Sequence, residues 1–470
     1  MSRRGAALAL EWTVEWRYRI PAVALVVTVV WTVVLLAMPA SVARVAGPMV
    51  LVIDTATFGA FFIAALVLFE RGEGALAALT VSPLRFAEYL GTKITVLTGL
   101  SVLSAAPIAL AAGVHLVTAL LGVALLSVLF LALDFALVLR QRTLTGFLTV
   151  APLTLVPLIA VPLAHLTVAD HPLLYLVPTT AAADLIRSGT ASATGVGYLL
   201  LAIAAATWLA RRRFTHEPPS RPARQRHHHT RPRLRGWLPA LVDIDRRTTL
   251  RSALLTIVLT GPILLAVALR LGFPPLAGYL HTRFGVDLQP YQPVLLASLV
   301  VLHVPLITGM VGALLILDDI DDRTVLILRV SPVTVTRYLA YRATAVAATA
   351  MLLLTVTVPV SGLAPHLELP ALVLAAAQAP LITLATIAVA HNKVEGLAWL
   401  KILGLLPTGI APAMWWLPDA AHWPLRLLPH YWTVDALWHP TPFGTLTGAT
   451  LTVLVTALLA RRTLHRVDAG

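Results

Sequence analysis

Twelve apolar stretches, each near the length of a bilayer crossing, constrain what this chain can become. They lie near residues 20–38, 48–69, 94–114, 115–139, 144–166 and 195–210, and again near 252–271, 293–317, 343–363, 371–390, 397–417 and 441–460. A helix crosses the hydrocarbon core in about 20 residues. Lipid offers no partner to a backbone N–H or C=O, so each stretch is expected to be a helix that satisfies its own backbone. Pro152, Pro157 and Pro162 in the fifth stretch, and Pro407 and Pro412 in the eleventh, predict kinks, since each removes a backbone donor. A soluble domain averages about 45–50% apolar and about 25% charged residues; here the figures are 58% and 12%. The first stretch follows positive residues, as a signal peptide would, but it exceeds the usual h-region and has a counterpart in the second half, so it reads as a retained helix. The absence of cysteine from the sequence excludes disulfides, thiolate catalysis and Cys-ligated metal sites.

The charge pattern sets the topology. The net charge is +13. With the N-terminus inside, 30 of the 35 Lys and Arg residues face the cytoplasm, among them Lys93, Lys393 and Lys401, and only Arg44, Arg187, Arg270, Arg283 and Arg426 face outward. This asymmetry satisfies the positive-inside rule. The basic excess is therefore topology rather than a nucleic-acid surface, and the expectation is a multi-pass plasma (inner) membrane protein with both termini cytoplasmic.

Residues 211–236 are rich in Arg, Pro and His with little to bury, the composition of a disordered cytoplasmic linker. His227 to His229 within it have no adjacent carboxylate, and no metal site is assigned. The linker separates a first half, 1–210, from a second, 237–470, and the halves match in register. Val81-Ser82-Pro83 returns as Val330-Ser331-Pro332 and Tyr89-Leu90 as Tyr338-Leu339, both 249 residues on; Gly146 returns as Gly396 after 250. Six spans per half preserve orientation, so the repeat is parallel, and two similar bundles facing each other would leave a path between them.

The stretches 70–93 and 317–342 join the second span to the third in each half. Both are charged at the start, apolar in the middle and broken by Ser-Pro, and each reads as a short helix at the membrane face, a proline turn and a second short helix. Acidic residues, an apolar stretch and then V-S-P-(x)5-Y-L resemble the segment between the second and third spans of ABC-2-type transporter permeases. Asn392-Lys393-Val394-Glu395-Gly396-Leu397 resembles a motif of the subgroup that includes actinobacterial fluoroquinolone- and multidrug-export permeases.

That resemblance implies an all-α integral membrane protein in which twelve transmembrane helices form two parallel six-helix ABC-2-type repeats, a fused pair of permease halves. It implies that Glu70, Arg71, Glu73, Ser82 and Pro83, with Asp318, Asp319, Asp322, Arg323, Ser331 and Pro332, receive the stroke of an ATPase, and that Asn392, Lys393, Glu395 and Gly396 form a second cytoplasmic motif. The halves differ there: Asp318, Asp319, Asp321 and Asp322 have no full counterpart in the first half, so the docking faces are unequal and admit a heterodimeric ATPase. The chain has no P-loop of its own, because none of its three lysines follows Gly or precedes Ser or Thr. ATP and Mg are therefore expected on a separate ATP-binding subunit, with no cofactor bound by this chain and no enzymatic activity of its own.

Ionisable groups at membrane depth are functional candidates. Asp54 and His303 are 249 residues apart, hence equivalent, and are candidates for the translocation path that could pair in one state; Gln378 is a third candidate, with an interhelical hydrogen bond as its default role. Asp134 is expected to form a helix-end ion pair near Arg140 and Arg142. The segments 167–194 and 418–440 read as re-entrant or surface-lying helices at the outer mouth. The function expected is export of an amphipathic drug, lipid or natural product. A proton-coupled secondary transporter is the alternative, disfavoured by the scarcity of mid-membrane carboxylates. A membrane enzyme lacks closely paired external carboxylates.

Overall fold

A computed structural model describes residues 3–72, 86–141, 144–167, 171–215, 253–284, 287–321, 333–364, 366, 368–390 and 392–469. Among these residues there is no strand. The chain divides into two compact units, Met1–Thr230 and Arg231–Gly470.

The first unit contains α1 (Arg3–Arg17), α2 (Ile20–Ala37), α3 (Ala40–Gly72), α4 (Phe86–Ala112), α5 (Leu116–Val138), α6 (Leu144–Thr167), α7 (Thr179–Ser188) and α8 (Ala193–Thr215). The second contains α9 (Ala253–Phe284), α10 (Gln289–Asp321), α11 (Val335–Ser361), α12 (Leu369–Val389), α13 (Lys393–Trp416), α14 (Pro429–Trp438) and α15 (Pro442–Ala469). Among the described residues eleven helices are long and apolar enough to cross a membrane. The expected span at 144–166 coincides with α6, whose described apolar portion is Thr154–Leu166.

Each unit is built on one plan. α3 packs on α5, and α5 on α4 and α8; likewise α10 packs on α12, and α12 on α11 and α15. The ends of α4 and α11 differ by 249 residues at both termini (86 to 335, 112 to 361), as do those of α6 and α13 (144 to 393, 167 to 416). α12 is apolar all round and mostly buried, whereas α8, α9 and α15 show Leu200, Leu201, Trp208, Leu264, Leu271, Val453 and Leu458 on their outer surfaces. A helix that is apolar on an exposed face has lipid as its solvent. The bundle is tight at its centre: a Cβ on Gly309 of α10 would meet the carbonyl of Ala379 in α12 at 2.7 Å, and the Thr383 hydroxyl donates to the Gly309 carbonyl at 2.9 Å.

The expected short helices before the Ser-Pro turns lie mostly outside the described residues; of those segments Glu70 and Arg71 belong to the last turn of α3, and Asp318 and Asp319 to the last turn of α10. On the far side, Tyr89 and Lys93 already belong to α4. The chain also starts with a helix the hydropathy pattern does not reveal, α1, which packs on α4 and turns into α2 through Arg19 at φ 58°.

Candidate functional site

One end of the first unit holds a buried charge cluster. Tyr89 and Lys93 are four residues apart on α4 and so share one face. Glu70, on the last turn of α3, meets both: its Oε1 accepts from Lys93 Nζ at 2.6 Å and its Oε2 accepts from the Tyr89 hydroxyl. The ammonium also donates to Glu11 Oε1 of α1 at 2.8 Å and lies 5.3 Å from the centre of the Tyr89 ring. Lys93 is fully buried. A buried ammonium is tolerable because two carboxylates and an aromatic face replace its hydration.

Glu15 lies one helical turn beyond Glu11 on the same face of α1. It is fully buried, and neither carboxylate oxygen has a hydrogen-bond partner. Burial, reinforced by the charge of Glu11, pushes its carboxyl up to about 8; burial also raises the Glu11 carboxyl against the pull of Lys93. Trp12 and Trp16 face outward from α1 and meet edge to face at 5.9 Å.

The second unit repeats the core of this arrangement. Asp319, Tyr338 and Arg342 stand 249 residues after Glu70, Tyr89 and Lys93. Tyr338 donates its hydroxyl proton to Asp319, Arg342 Nη2 donates to Asp319 Oδ2 at 3.3 Å, and Arg342 Nε donates to the Tyr338 oxygen at 3.2 Å. Here the charges are partly open: the side chains of Arg342 and Asp319 are 16% and 27% exposed.

The structure joins two motifs that the sequence treats separately. Lys393 at the start of α13 forms an ion pair with Asp318, and its backbone N–H donates to Asp321 Oδ2 at 3.3 Å. Asn392 caps α13, its Oδ1 accepting from the Glu395 N–H at 2.9 Å, as an N-cap residue with a Glu three positions on should. Gly396 is where α13 touches α10: a Cβ there would come within 2.4 Å of Leu317 Cδ1. In the first unit Arg71 makes the corresponding tie, donating to the carbonyls of Leu139 and Gln141 just before α6. Glu73, Ser82, Pro83, Asp322, Arg323, Ser331 and Pro332 lie outside the described residues.

The remaining candidates are placed as follows. Asp54 is half-buried on α3. His303, half-buried on α10, lies two residues after the end of a π-helical turn, Ala297–Val301. Gln378 is buried on α12, where its amide donates to Thr433 of α14 and Thr452 of α15 at 3.3 and 3.4 Å. Asp134 does not form the expected helix-end pair: it is fully buried, and neither oxygen has a hydrogen-bond partner. Among the described residues no group of three or more His, Asp or Glu side chains is arranged to hold a metal.

An all-helical chain with many bilayer-length apolar helices, built twice on one plan, is a multi-pass membrane protein of the transporter class. Residues 2–217 match the model of the fluoroquinolones export permease protein family, and residues 245–464 match that of fluoroquinolones export permease proteins like Rv2686c. Fluoroquinolones export permease protein Rv2686c of Mycobacterium tuberculosis (strain ATCC 25618 / H37Rv) is 31% identical over 227 residues, 46% of this chain and 90% of the relative. Fluoroquinolones export permease protein Rv2687c of the same strain is 37% identical over 183 residues, 38% of this chain and 77% of the relative. The chain belongs to the fluoroquinolone export permease family.

Proposed function

We propose that this chain forms the membrane domain of an ATP-driven drug exporter, with twelve spans in two parallel six-helix halves and both termini in the cytoplasm. The observation that carries the reading is the acid, tyrosine and base set that recurs at one end of each half, Glu70–Tyr89–Lys93 and Asp319–Tyr338–Arg342, on the two helices that flank the segment expected to receive an ATPase. Each set grips the helices before and after that segment, so a push on the segment is delivered to both helices together. The substrate is read as a fluoroquinolone-like, amphipathic drug, by similarity to the named relatives. ATP and Mg belong on a separate, dimeric ATP-binding subunit. Asp54, His303 and Gln378 are the residues proposed to meet the translocated molecule.

Purification of the full chain from its own membranes in mild detergent tests this. A co-purifying ATP-binding subunit with vanadate-sensitive hydrolysis is expected, and alteration of residues 70–82 or 317–331 is expected to release it. A second reading has one observation in its favour: Glu15 and Asp134 are buried carboxyl groups without hydrogen-bond partners, as proton carriers need. Drug efflux that survives vanadate but stops when the proton gradient is collapsed would favour that reading and overturn the first.

A further inference from the structure

The two halves also differ at the end opposite the charge clusters, the end that the distribution of Lys and Arg assigns to the outside. In the first unit this region is filled by polar groups. His165 Nε2 of α6 meets Asp184 Oδ1 of α7 at 2.7 Å, the Tyr175 hydroxyl donates to Asp184 Oδ2 at 3.0 Å, and Arg187 Nη1 donates to the His165 carbonyl at 3.3 Å. In the second unit the register equivalents are apolar. α13 follows α6 by 250 residues in the register of Gly146 and Gly396, and α14 follows α7 by 250 (179 to 429, 188 to 438), so His165, Asp184 and Arg187 correspond to Trp415, Val434 and Leu437.

Where the first unit has that polar cluster, the second has a cavity of about 570 Å³, and Trp415 and Leu437 line it. That volume lies within the roughly 300–1,000 Å³ of drug-sized ligand sites. Its walls include Trp415 and Trp438, whose rings meet edge to face with centroids 5.5 Å apart. The Trp438 indole N–H donates to the Pro293 carbonyl at 3.3 Å, which fixes that ring before any ligand arrives. One carboxylate lines the cavity: Glu368, the N-cap residue of α12, which makes no capping hydrogen bond with its side chain and so is not consumed by its own helix. His366 and His439 complete the polar part.

We propose that this cavity is a binding site for a planar aromatic molecule carrying a protonated amine, its rings against Trp415 and Trp438 and its ammonium toward Glu368. Aromatic faces and one carboxylate around an otherwise apolar cavity select such a cation over a neutral ring or an anion. The proposal deepens the drug-export reading and rests on it for the site's role as a station on the outward path. The unequal halves then have a physical consequence: one half presents a ligand cavity where the other presents a closed polar contact.

The cysteine-free sequence permits a direct test. Ala364 lines the cavity, and Ala364→Cys introduces the sole thiol with little change in volume. In intact cells a membrane-impermeant maleimide should label it, and quinacrine, an acridine bearing a protonated amine, should slow the labelling at least tenfold at saturation, whereas neutral acridine should protect less. Adding Glu368→Gln should raise the quinacrine concentration needed for protection about tenfold and leave that for acridine unchanged. Absence of protection, equal protection by both compounds, or an equal effect of Glu368→Gln on both would overturn the proposal. Fluoroquinolone accumulation in the same cells separates the two readings. Efflux without protection removes the cavity and leaves the exporter; protection in a chain that exports nothing keeps the cavity and removes the exporter.

Discussion

The charge clusters of the two halves contain the same three chemical parts in different surroundings. In the first half an ammonium, two carboxylates and a phenol are fully or largely out of water, and α1 supplies one of the carboxylates. In the second half Arg342 and Asp319 are partly solvated, and the end of α10 is tied instead to α13 through Lys393. Duplication preserved the geometry of the grip, because it depends on spacing along two helices. It did not preserve the dielectric around it. A buried ion pair is costly to break, since the surviving partner is left without water, whereas a pair partly open to water approaches the roughly 0–1 kcal/mol of an exposed one. The first half is therefore expected to form the tighter joint and the second the looser one.

Removal of the base in each half tests this most sharply. Lys93→Met strands Glu11 and Glu70 and is expected to destabilise the purified chain by about 3–5 kcal/mol, while Arg342→Met is expected to cost about 1 kcal/mol or less. Thermal unfolding in a mild detergent measures both. Equal losses would show that the two joints are energetically alike and break the comparison. Adding Glu11→Gln and Glu70→Gln to Lys93→Met should recover part of the loss, because no carboxylate then needs a partner.

Glu15 sharpens the comparison through pH. Its carboxyl is held neutral by burial up to about pH 8, against an ordinary value of 4.5. Between those values the unfolded chain has released this proton and the folded chain has kept it, so folding stability contributed by this group is complete below about pH 4.5 and declines as pH rises to about 8. The thermal midpoint should accordingly decline over that window, and Glu15→Gln, which keeps the shape of the neutral acid, should flatten the decline. A variant that declines as the parent does would remove Glu15 as its source.

The spans and the repeat were legible because both are local: twenty apolar residues announce a crossing, and Val-Ser-Pro with Tyr-Leu announce a copy. The charge clusters were only half legible. Glu70 and Asp319 stand out in register, as do Tyr89 and Tyr338, but Lys93 counts as one more cytoplasmic charge until its partners are known, and they lie 23 and 82 residues away. α1 was missed because a 15-residue helix with two Glu and three Arg has no hydropathy signal. The failed pair at Asp134 has the same origin: nearness in sequence to Arg140 says nothing about which way a helix turns its carboxylate. The cavity was illegible for the converse reason, since Trp415, Val434 and Leu437 look ordinary until they are set against His165, Asp184 and Arg187.

The smallest effect concerns the seam between α10 and α13, which the second half uses where the first uses Arg71. Gly396→Ala places a Cβ where Leu317 Cδ1 stands, 2.4 Å away, and Leu317 is fully buried and cannot simply swing aside. Overpacking of this kind costs about 1–3 kcal/mol. Leu317→Ala by itself opens a cavity beside Gly396, yet in combination with Gly396→Ala it gives the new methyl group its space. The double variant should therefore be more stable than the sum of the single losses requires, with a coupling of at least about 0.5 kcal/mol. Additive losses would mean that α13 does not close on α10 at this glycine.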